Sequence, residues 1–462
     1  MESVSKLKLG VAKSVGAASR LSGRGGGTSL PGKLLLRLQD DAIARLSSEL
    51  PRGAVVISAT NGKTTTASLL ASVLGRSRIP VVHNRAGANM AGGIATALLD
   101  ATKHGQVQGQ LGLFEVDEAW TARIVEQTQP SVLLLANLFR DQLDRYGELE
   151  TLADSWQQMI AQLPAETRVV LNADDPLLAG LGADRPNTLY FGLTDTSHAE
   201  PVPRHAADSK FCRRCGAPLE YEAVQLGHLG IYRCPNGDFA RPTPQIAATK
   251  ITTHGMEGSE ITISTPDGPI DCELPIPGLY NVYNAVAATA AAHALDLTAG
   301  AISGGLAAAR AVFGRVETLE IGGHSVALML IKNPTGANEV LRTIAEESAP
   351  FDLWIALNDK IADGRDVSWI WDADFEMLAG KVGQITCSGT RAEEMALRLA
   401  YAGIDRKRLI VERAVEKSFD AAVADSVRAA TPIFALPTYT ALLELRTAIA
   451  KRGDAPSYWG ST

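Results

Sequence analysis

The apolar run Ala54-Val55-Val56-Ile57 passes directly into Ser58-Ala59-Thr60-Asn61-Gly62-Lys63-Thr64-Thr65-Thr66, which opens into Ala67-Ser68-Leu69-Leu70-Ala71. Strand, small-residue loop and helix start follow in the order that builds a phosphate cradle. That order commits this part of the chain to an α/β arrangement. In such a loop the backbone N–H groups and the positive end of the helix macrodipole face an anion. Lys63 then reaches the outer phosphates, and the Thr64 hydroxyl faces a magnesium ion. Asn61, Gly62, Lys63, Thr64 and Thr65 are the candidate nucleotide-binding stretch, with ATP and Mg2+ as its ligands. The spacing is not the common Walker one, because Ile57 stands where the first glycine would be and Gly62 alone remains. The competing reading is an ordinary strand-to-helix turn that contains Gly-Lys-Thr.

Short β-branched runs at 54–58, 79–83, 112–117, 132–136 and 168–172 alternate with helical stretches near 64–75, 88–102, 119–128 and 149–163. This alternation predicts βαβ units and a parallel sheet covered on both faces. It breaks at about 198–250, where Cys212-x-x-Cys215 and Cys234 sit among charged and turn residues. A strand-like pattern (Ser259 to Glu273) and an alanine-rich helix from Asn284 to about Leu297 follow. A second α/β series begins near 320. Its strands are Val326–Ile331, Leu353–Leu357, Gln384–Cys387, Leu409–Val411 and Ile433–Leu436, separated by helices near 337–347, 391–402, 415–429 and 440–451. The expected division is a basic segment with a glycine-rich loop (1–34), a nucleotide-binding domain (35–317) carrying a small cysteine-bearing insertion (205–245), and a Rossmann-like C-terminal α/β domain (318–462).

The net charge of −7 gives no electrostatic footprint for nucleic acid. No apolar stretch approaches the roughly 20 residues of a membrane span. Five cysteines, three of them clustered, argue against a disulfide framework and for a reducing, cytoplasmic setting. Residues 1–24 carry Lys6, Lys8, Lys13, Arg20 and Arg24 against Glu2 alone. They form either a solvated basic helix or a contact for an anionic membrane surface.

Glu115 ends a strand candidate after the cradle, in Phe114-Glu115-Val116-Asp117-Glu118, where a carboxylate holds magnesium. Asp117 and Glu118 suit a helix cap. The polar cluster Asn137 to Glu148 closes a second strand. Asn281 and Asn284, three residues apart, either hydrogen-bond a base edge or cap the following helix. Arg315 stands at the junction with the C-terminal domain, where it can close onto phosphates.

Ala-Thr-Asn-Gly-Lys-Thr-Thr, Gly-x-x-Asn-x-x-Asn-Ala and Phe-Gly-Arg-x-Glu, in this order and separation, resemble the Mur ligases. Those enzymes activate a carboxylate with ATP as an acyl phosphate, which an amine attacks. The cysteine-bearing insertion and the segment Asn358 to Asp372 narrow the likeness to the amidating branch of that family. The resemblance runs from about residue 35 to 450. It implies that a GatD-type glutaminase subunit releases ammonia and that the α-carboxylate of D-glutamate in lipid II, at the inner membrane face, is amidated. By position it assigns Lys63 and Thr64 to phosphates and magnesium, Glu115 to magnesium, Asn281 and Asn284 to adenine, and Arg315 to phosphate. It assigns Asp366 to completing the partner's Cys-His site, as an acid that orients a histidine. The residues alone do not choose Asp366 over Asp363. Gln142 replaces the histidine of the amino-acid-adding Mur ligases, which favours the amidating branch over a Mur or folylpolyglutamate-type ligase working without a partner. Cys212, Cys215 and Cys234 suit a structural zinc ion whose fourth ligand, after Pro-Asn-Gly-Asp-Phe, is not a cysteine. Asp238 and His228 are the candidates, and a metal-free loop is the alternative. Cys272 and Cys387 read as inert core residues.

Overall fold

The computed structural model describes residues 4–21, 29–84, 88–140, 149–201, 208–310, 315–347 and 350–453, with 18–21 and 315–316 as backbone alone. Around the cradle run β1 (Ala54–Ser58), β2 (Val81–His83), β3 (Leu111–Val116), β4 (Val132–Leu135), β5 (Arg168–Asn172) and β6 (Thr188–Leu193). The inserted hairpin is β7 (Glu220–Leu226) with β8 (Leu229–Arg233), and β9 (Ile246–Thr253), β10 (Ser259–Thr265) and β11 (Gly268–Leu274) follow. Among the described residues the central sheet has nine strands, in the order β11-β10-β9-β6-β5-β4-β1-β3-β2. It is parallel from β9 to β2, while β9, β10 and β11 form an antiparallel edge. β9 pairs with β6 through Ile246 and Phe191, so the sheet resumes where it left off and the insertion hangs outside it.

The period-2 alternation of β1 feeds two cores. Val55 and Ile57 pack with Leu69, Leu70 and Val73 of α4 (Lys63–Arg76) and with the alanine-rich helix. Ala54 and Val56 face Leu35, Ile43, Ile94 and Trp156 on the other side. That second layer contains α1 (Lys6–Leu21), α2 (Leu30–Leu38), α3 (Ala42–Ser47), α5 (Ala91–Asp100), α6 (Thr121–Thr128) and α7 (Leu149–Gln162). The basic N-terminal helix packs through one face, with Leu9 and Ala12 of α1 buried and Lys8 Nζ donating to Gln39 Oε1 at 2.7 Å, while Lys6 stays exposed. Leu7 and Val11 stay exposed.

Beyond α8 (Pro176–Ala179), the alanine-rich helix α9 runs from Leu279 to Ala294 with Gly278 as its cap, five residues earlier than its alanine pattern announces. Asn281 and Asn284 therefore lie inside the helix, and capping is not their role. After α10 (Ala299–Ala307) come β12 (Arg315–Ile321) and β13 (His324–Met329). β12 pairs with β13 in the second sheet, so the change of sheet precedes Arg315 instead of falling at 317. Then follow α11 (Pro334–Ala345), β14 (Phe351–Ala356), β15 (Val382–Ser388), α12 (Ala392–Tyr401), β16 (Leu409–Val411), α13 (Val415–Ala429), β17 (Ile433–Pro437) and α14 (Tyr439–Arg452). The second sheet has the order β12-β13-β17-β14-β15-β16, with β12 antiparallel and the rest parallel. The β14 side chains alternate as in β1, Trp354 toward Phe419 and Leu353 toward Phe434. Ion pairs join the two α/β units: Arg342 to Glu200 at 2.9 Å and Arg140 to Asp372 at 3.5 Å.

Candidate active site

Gly62 caps α4 at φ +83°, a conformation that strains any residue with a Cβ. Lys63, the first residue of α4, is only 8% exposed. Its Nζ donates to Glu118 Oε2 at 2.8 Å and to the Ala59 carbonyl. Burial pulls the Lys63 pKa down, but the carboxylates of Glu118, Glu115 and Asp117 outweigh it and leave the ammonium raised above its ordinary range. Beside it, Thr64 Oγ1 donates to Glu115 Oε1 at 2.9 Å. Glu115 sits on β3 with 2% exposure. Asn84 clamps its peptide from both sides, accepting from Glu115 N (3.0 Å) and donating to Glu115 O (2.8 Å). A hydroxyl and a carboxylate fixed side by side are the oxygen donors a magnesium ion takes.

Asn137 clamps the cradle in the same way: it accepts from Asn61 N and donates to Asn61 O, both at 2.9 Å. Asn284 is held by Thr66 Oγ1, which donates to its Oδ1 at 3.2 Å, and its own Nδ2 donates to Asn281 Oδ1 at 3.0 Å. Asn281 in turn donates to the Pro277 carbonyl at 2.7 Å. Asn284 borders a solvent-open cleft of about 640 Å³ between the two α/β units, together with Asn61, Gly62, Thr65, Tyr280 and Lys332. Asn281 lies behind it, so its contact with a base would pass through Asn284. Arg315 opens β12, with its side chain outside the described residues, and Gln142 lies outside them altogether.

Residues far apart in sequence complete the site. Asn333, the N-cap of α11, donates to Asn61 Oδ1 at 3.0 Å, and Lys332 Nζ donates to the Thr60 carbonyl at 3.2 Å. The motif reading did not single out either residue, nor Asn84. Glu118 was expected as a helix-cap acid, yet its carboxylate is the partner of Lys63. The available signal was a strand-end lysine followed by Asn-Pro, a cap with proline at the first helical position.

Asp366 is exposed and accepts from Ser368 N at 2.8 Å. The Ser368 side chain first, and then this backbone bond, hold its carboxyl below the ordinary range. Asp363 is buried, with Thr440 N donating to it at 2.7 Å. Asp363 is thus consumed in holding the start of α14, whereas Asp366 is presented to the surface.

The sulfurs of Cys212, Cys215 and Cys234 lie within 4.8 Å of one another. Each cysteine pair of a ribbon needs a tight turn, and two glycines at positive φ, Gly216 (+73°) and Gly237 (+78°), supply them. Gly216 N donates to Cys212 O (2.8 Å) and Gly237 N to Cys234 O (3.0 Å). Three thiolates so grouped fit zinc. Asp238 Oδ2 is 3.9 Å from Cys234 Sγ. His228 is corrected as a fourth ligand: it is fully buried, outside the cluster, with Nε2 3.4 Å from Asp175. Cys272 and Cys387 are buried in strands, and burial pushes both thiols up to about 12.

A family profile described as the Mur ligase middle domain matches residues 57–237, and one described as MurT ligase C-terminal matches 330–442. A protein of Streptococcus pneumoniae, "Lipid II isoglutaminyl synthase (glutamine-hydrolyzing) subunit MurT", is 36% identical over 94% of each chain. A protein of Staphylococcus aureus with the same description is 32% identical over 94% of each chain. In fold, the chain is similar to a pseudomurein peptide ligase type C from Methanothermus fervidus, with a TM-score of 0.68, 22% identity and coverage of 88% of this chain and 80% of that one.

Proposed function

The chain belongs to the MurT family of Mur ligases, and from that premise we propose that it is the ATP-dependent synthetase subunit of a glutamine-hydrolysing lipid II isoglutaminyl synthase. The α-carboxylate of D-glutamate in the stem peptide takes the γ-phosphoryl group of ATP and ADP leaves. Ammonia then attacks the acyl phosphate, phosphate departs, and D-isoglutamine remains. The observation that carries the reading is the grouping of Lys63 with Glu118 and of Thr64 with Glu115 at the start of α4, next to Asn61, Gly62 and Thr65, which line a cleft shared with the MurT-type C-terminal domain.

Lys63, held charged in a buried site, stabilises the negative charge of the transferring phosphoryl group. Thr64 and Glu115 would hold Mg2+, which would supply positive charge to the transferring phosphoryl group. Nitrogen comes from another chain. Cys272 and Cys387 are buried with raised thiols, and Cys212, Cys215 and Cys234 belong to the cluster, so none of the five cysteines is a poised thiolate. A GatD-type glutaminase supplies the ammonia, with Asp366 orienting its catalytic histidine from this chain. Cys212, Cys215 and Cys234 would hold a structural zinc ion. The enzyme works in the cytoplasm, and the exposed Leu7 and Val11 of the basic helix α1 rest on the inner membrane face, where a lipid-linked substrate lies.

The test is incubation with ATP, magnesium and lipid II, with glutamine or ammonium, with and without the glutaminase, and mass spectrometry of the product. Amidation by ammonium alone, and by glutamine only with the partner, is expected. Addition of an amino acid, or glutamine-driven amidation without a partner, would overturn the reading.

A further inference from the structure

Residues 357–381, the connection from β14 to β15, carry Asp366, and their regular structure is two one-turn 3-10 helices, Ser368–Trp371 and Phe375–Leu378. Turns this short leave backbone carbonyls that need a donor from elsewhere. Arg398 of α12, only 4% exposed, supplies it. Its Nε donates to the Ile370 carbonyl at 3.0 Å, and its Nη2 to the Ala373 carbonyl at 2.6 Å and to Glu376 Oε2 at 2.9 Å. The guanidinium also lies over the rings of Trp371 and Phe375, 5.6 and 5.5 Å from their centroids. A lysine has neither the fork nor the flat face for this.

Asp366 stands at the other end of the same turn. It accepts from Ser368 N at 2.8 Å, Ile370 N donates to the Val367 carbonyl at 3.2 Å, and the Ile370 carbonyl is the one Arg398 holds. On the side before it, Asp363 is tied to Thr440 N at 2.7 Å. The exposed acid is therefore held between two fixed points, the start of α14 and a buried guanidinium. We propose that Arg398 is a positioning residue for the glutaminase half of the reaction: through the turn at 367–371 it fixes where Asp366 meets the partner's histidine, and it touches no reactant. The inference rests on the reading of Asp366 given above and adds the group that sets its place. An acid that orients an imidazole acts through geometry, and a misplacement of about 1 Å costs on the order of 100-fold. Arg398 lies outside the lining of the nucleotide cleft, so carboxylate activation does not depend on it.

The test is amidation of lipid II by the complex of the full-length chain with a GatD-type glutaminase, driven by glutamine or by ammonium, at saturating partner. Arg398→Met keeps a stem between the two rings and removes all three hydrogen bonds. It should lower the glutamine-driven kcat by about 10- to 100-fold and the ammonium-driven kcat by less than about two-fold, with the KM for glutamine unchanged. Hydrogen exchange of the chain alone reads the turn directly: residues 367–371 should exchange at least about five-fold faster in Arg398→Met. Arg408 donates to the Val382 carbonyl at the opposite end of β15, and Arg408→Met should leave the glutamine-to-ammonium ratio as it was. Circular dichroism checks folding, and Arg398→Lys, for which a smaller loss in the same arm is expected, replaces the methionine variant if that one does not fold. Equal loss in both arms, a loss that more glutaminase removes, or unchanged exchange at 367–371 overturns the inference. Glutamine-driven amidation that survives Asp366→Asn overturns the reading of Asp366, and the inference with it.

Discussion

Gly62→Ala tests why the cradle keeps a single glycine. Two separate penalties act at this position. Gly62 sits at φ +83°, and holding a residue with a Cβ in the left-handed region costs roughly 1–2 kcal/mol. The new methyl would also collide with Asn284 Oδ1. Asn284 cannot swing aside freely, because it accepts from Thr66 at 3.2 Å and donates to Asn281 at 3.0 Å. Giving up these two bonds costs about 1–3 kcal/mol in total. The single variant should therefore lose about 2–5 kcal/mol, and about 1–2 °C of melting temperature per kcal/mol for a unit of this size. The two penalties separate in a double-mutant cycle. In an Asn284→Ala background the collision is gone, and Gly62→Ala should cost only the roughly 1–2 kcal/mol of the backbone term. Thermal unfolding of the wild type, both single variants and the double variant measures this directly. A Gly62→Ala cost equal in both backgrounds within about 0.5 kcal/mol would show that Asn284 is not what demands glycine. Wild-type melting in Gly62→Ala would refute both parts of the reasoning.

Asp366→Asn should abolish glutamine-driven amidation in the presence of the glutaminase and leave ammonium-driven amidation intact; equal loss of both would move Asp366 into the synthetase site. Protein purified without chelator should carry about one zinc per chain by elemental analysis. Cys215→Ser should lose it and Asp238→Ala should retain it more weakly, whereas a zinc-free wild type would remove the metal from the account. The Glu376 carboxyl is held below its ordinary range, first by the hydrogen bond from buried Arg398. Its contribution is therefore present above the unfolded pKa and lost as pH falls through the lower folded one. The stability gap between wild type and Glu376→Gln, about 0.5 kcal/mol for so exposed a carboxylate, should persist at pH 7 and close below about pH 4. Denaturant titrations at pH 7 and pH 3 measure it, and a gap unchanged at pH 3 counts against the pair.

The parallel strands were legible where burial is complete. β1, β3, β4 and β14 are buried along their whole length, so their sequences are mostly apolar, with Ser58, Glu115 and Asp352 as the polar exceptions. β6 was not recognised: its first three residues are only half-buried, and it lies at the edge of the insertion. The α9 boundary was misplaced because a glycine caps it and two asparagines occupy its first turns, residues that elsewhere stop helices. At the site, legibility followed sequence distance. Lys63, Thr64 and Glu115 stand in a contiguous loop or at a strand end, so local patterning finds them. Lys63 and Glu118 are 55 residues apart and Asn61 and Asn333 are 272 apart, and no local pattern encodes such pairings.

The insertion shows what such distant pairings build. Between the inserted hairpin and the cradle lies a series of buried polar contacts. Arg241 grips Asp174 at 2.6 Å, the Tyr232 hydroxyl donates to the Ala173 carbonyl at 3.1 Å, and Gly230 N donates to Asp174 O at 2.9 Å. At the hairpin turn His228 is fully buried, 3.4 Å from Asp175 and with its ring centroid 4.7 Å from that of Phe139. Burial draws its pKa down, and Asp175 more than restores it. The same Asp175 accepts from Leu138 N at 2.9 Å, and Phe139 N donates to Thr60 Oγ1 at 3.0 Å in the cradle itself. Arg342 reaches from α11 to Glu200 beside the insertion. The insertion therefore braces the strand end that clamps Asn61, and it touches the helix whose cap, Asn333, meets the cradle from the other side. Buried charged groups of this kind are costly to leave unpaired, so the hairpin cannot loosen without disturbing residues 137–140.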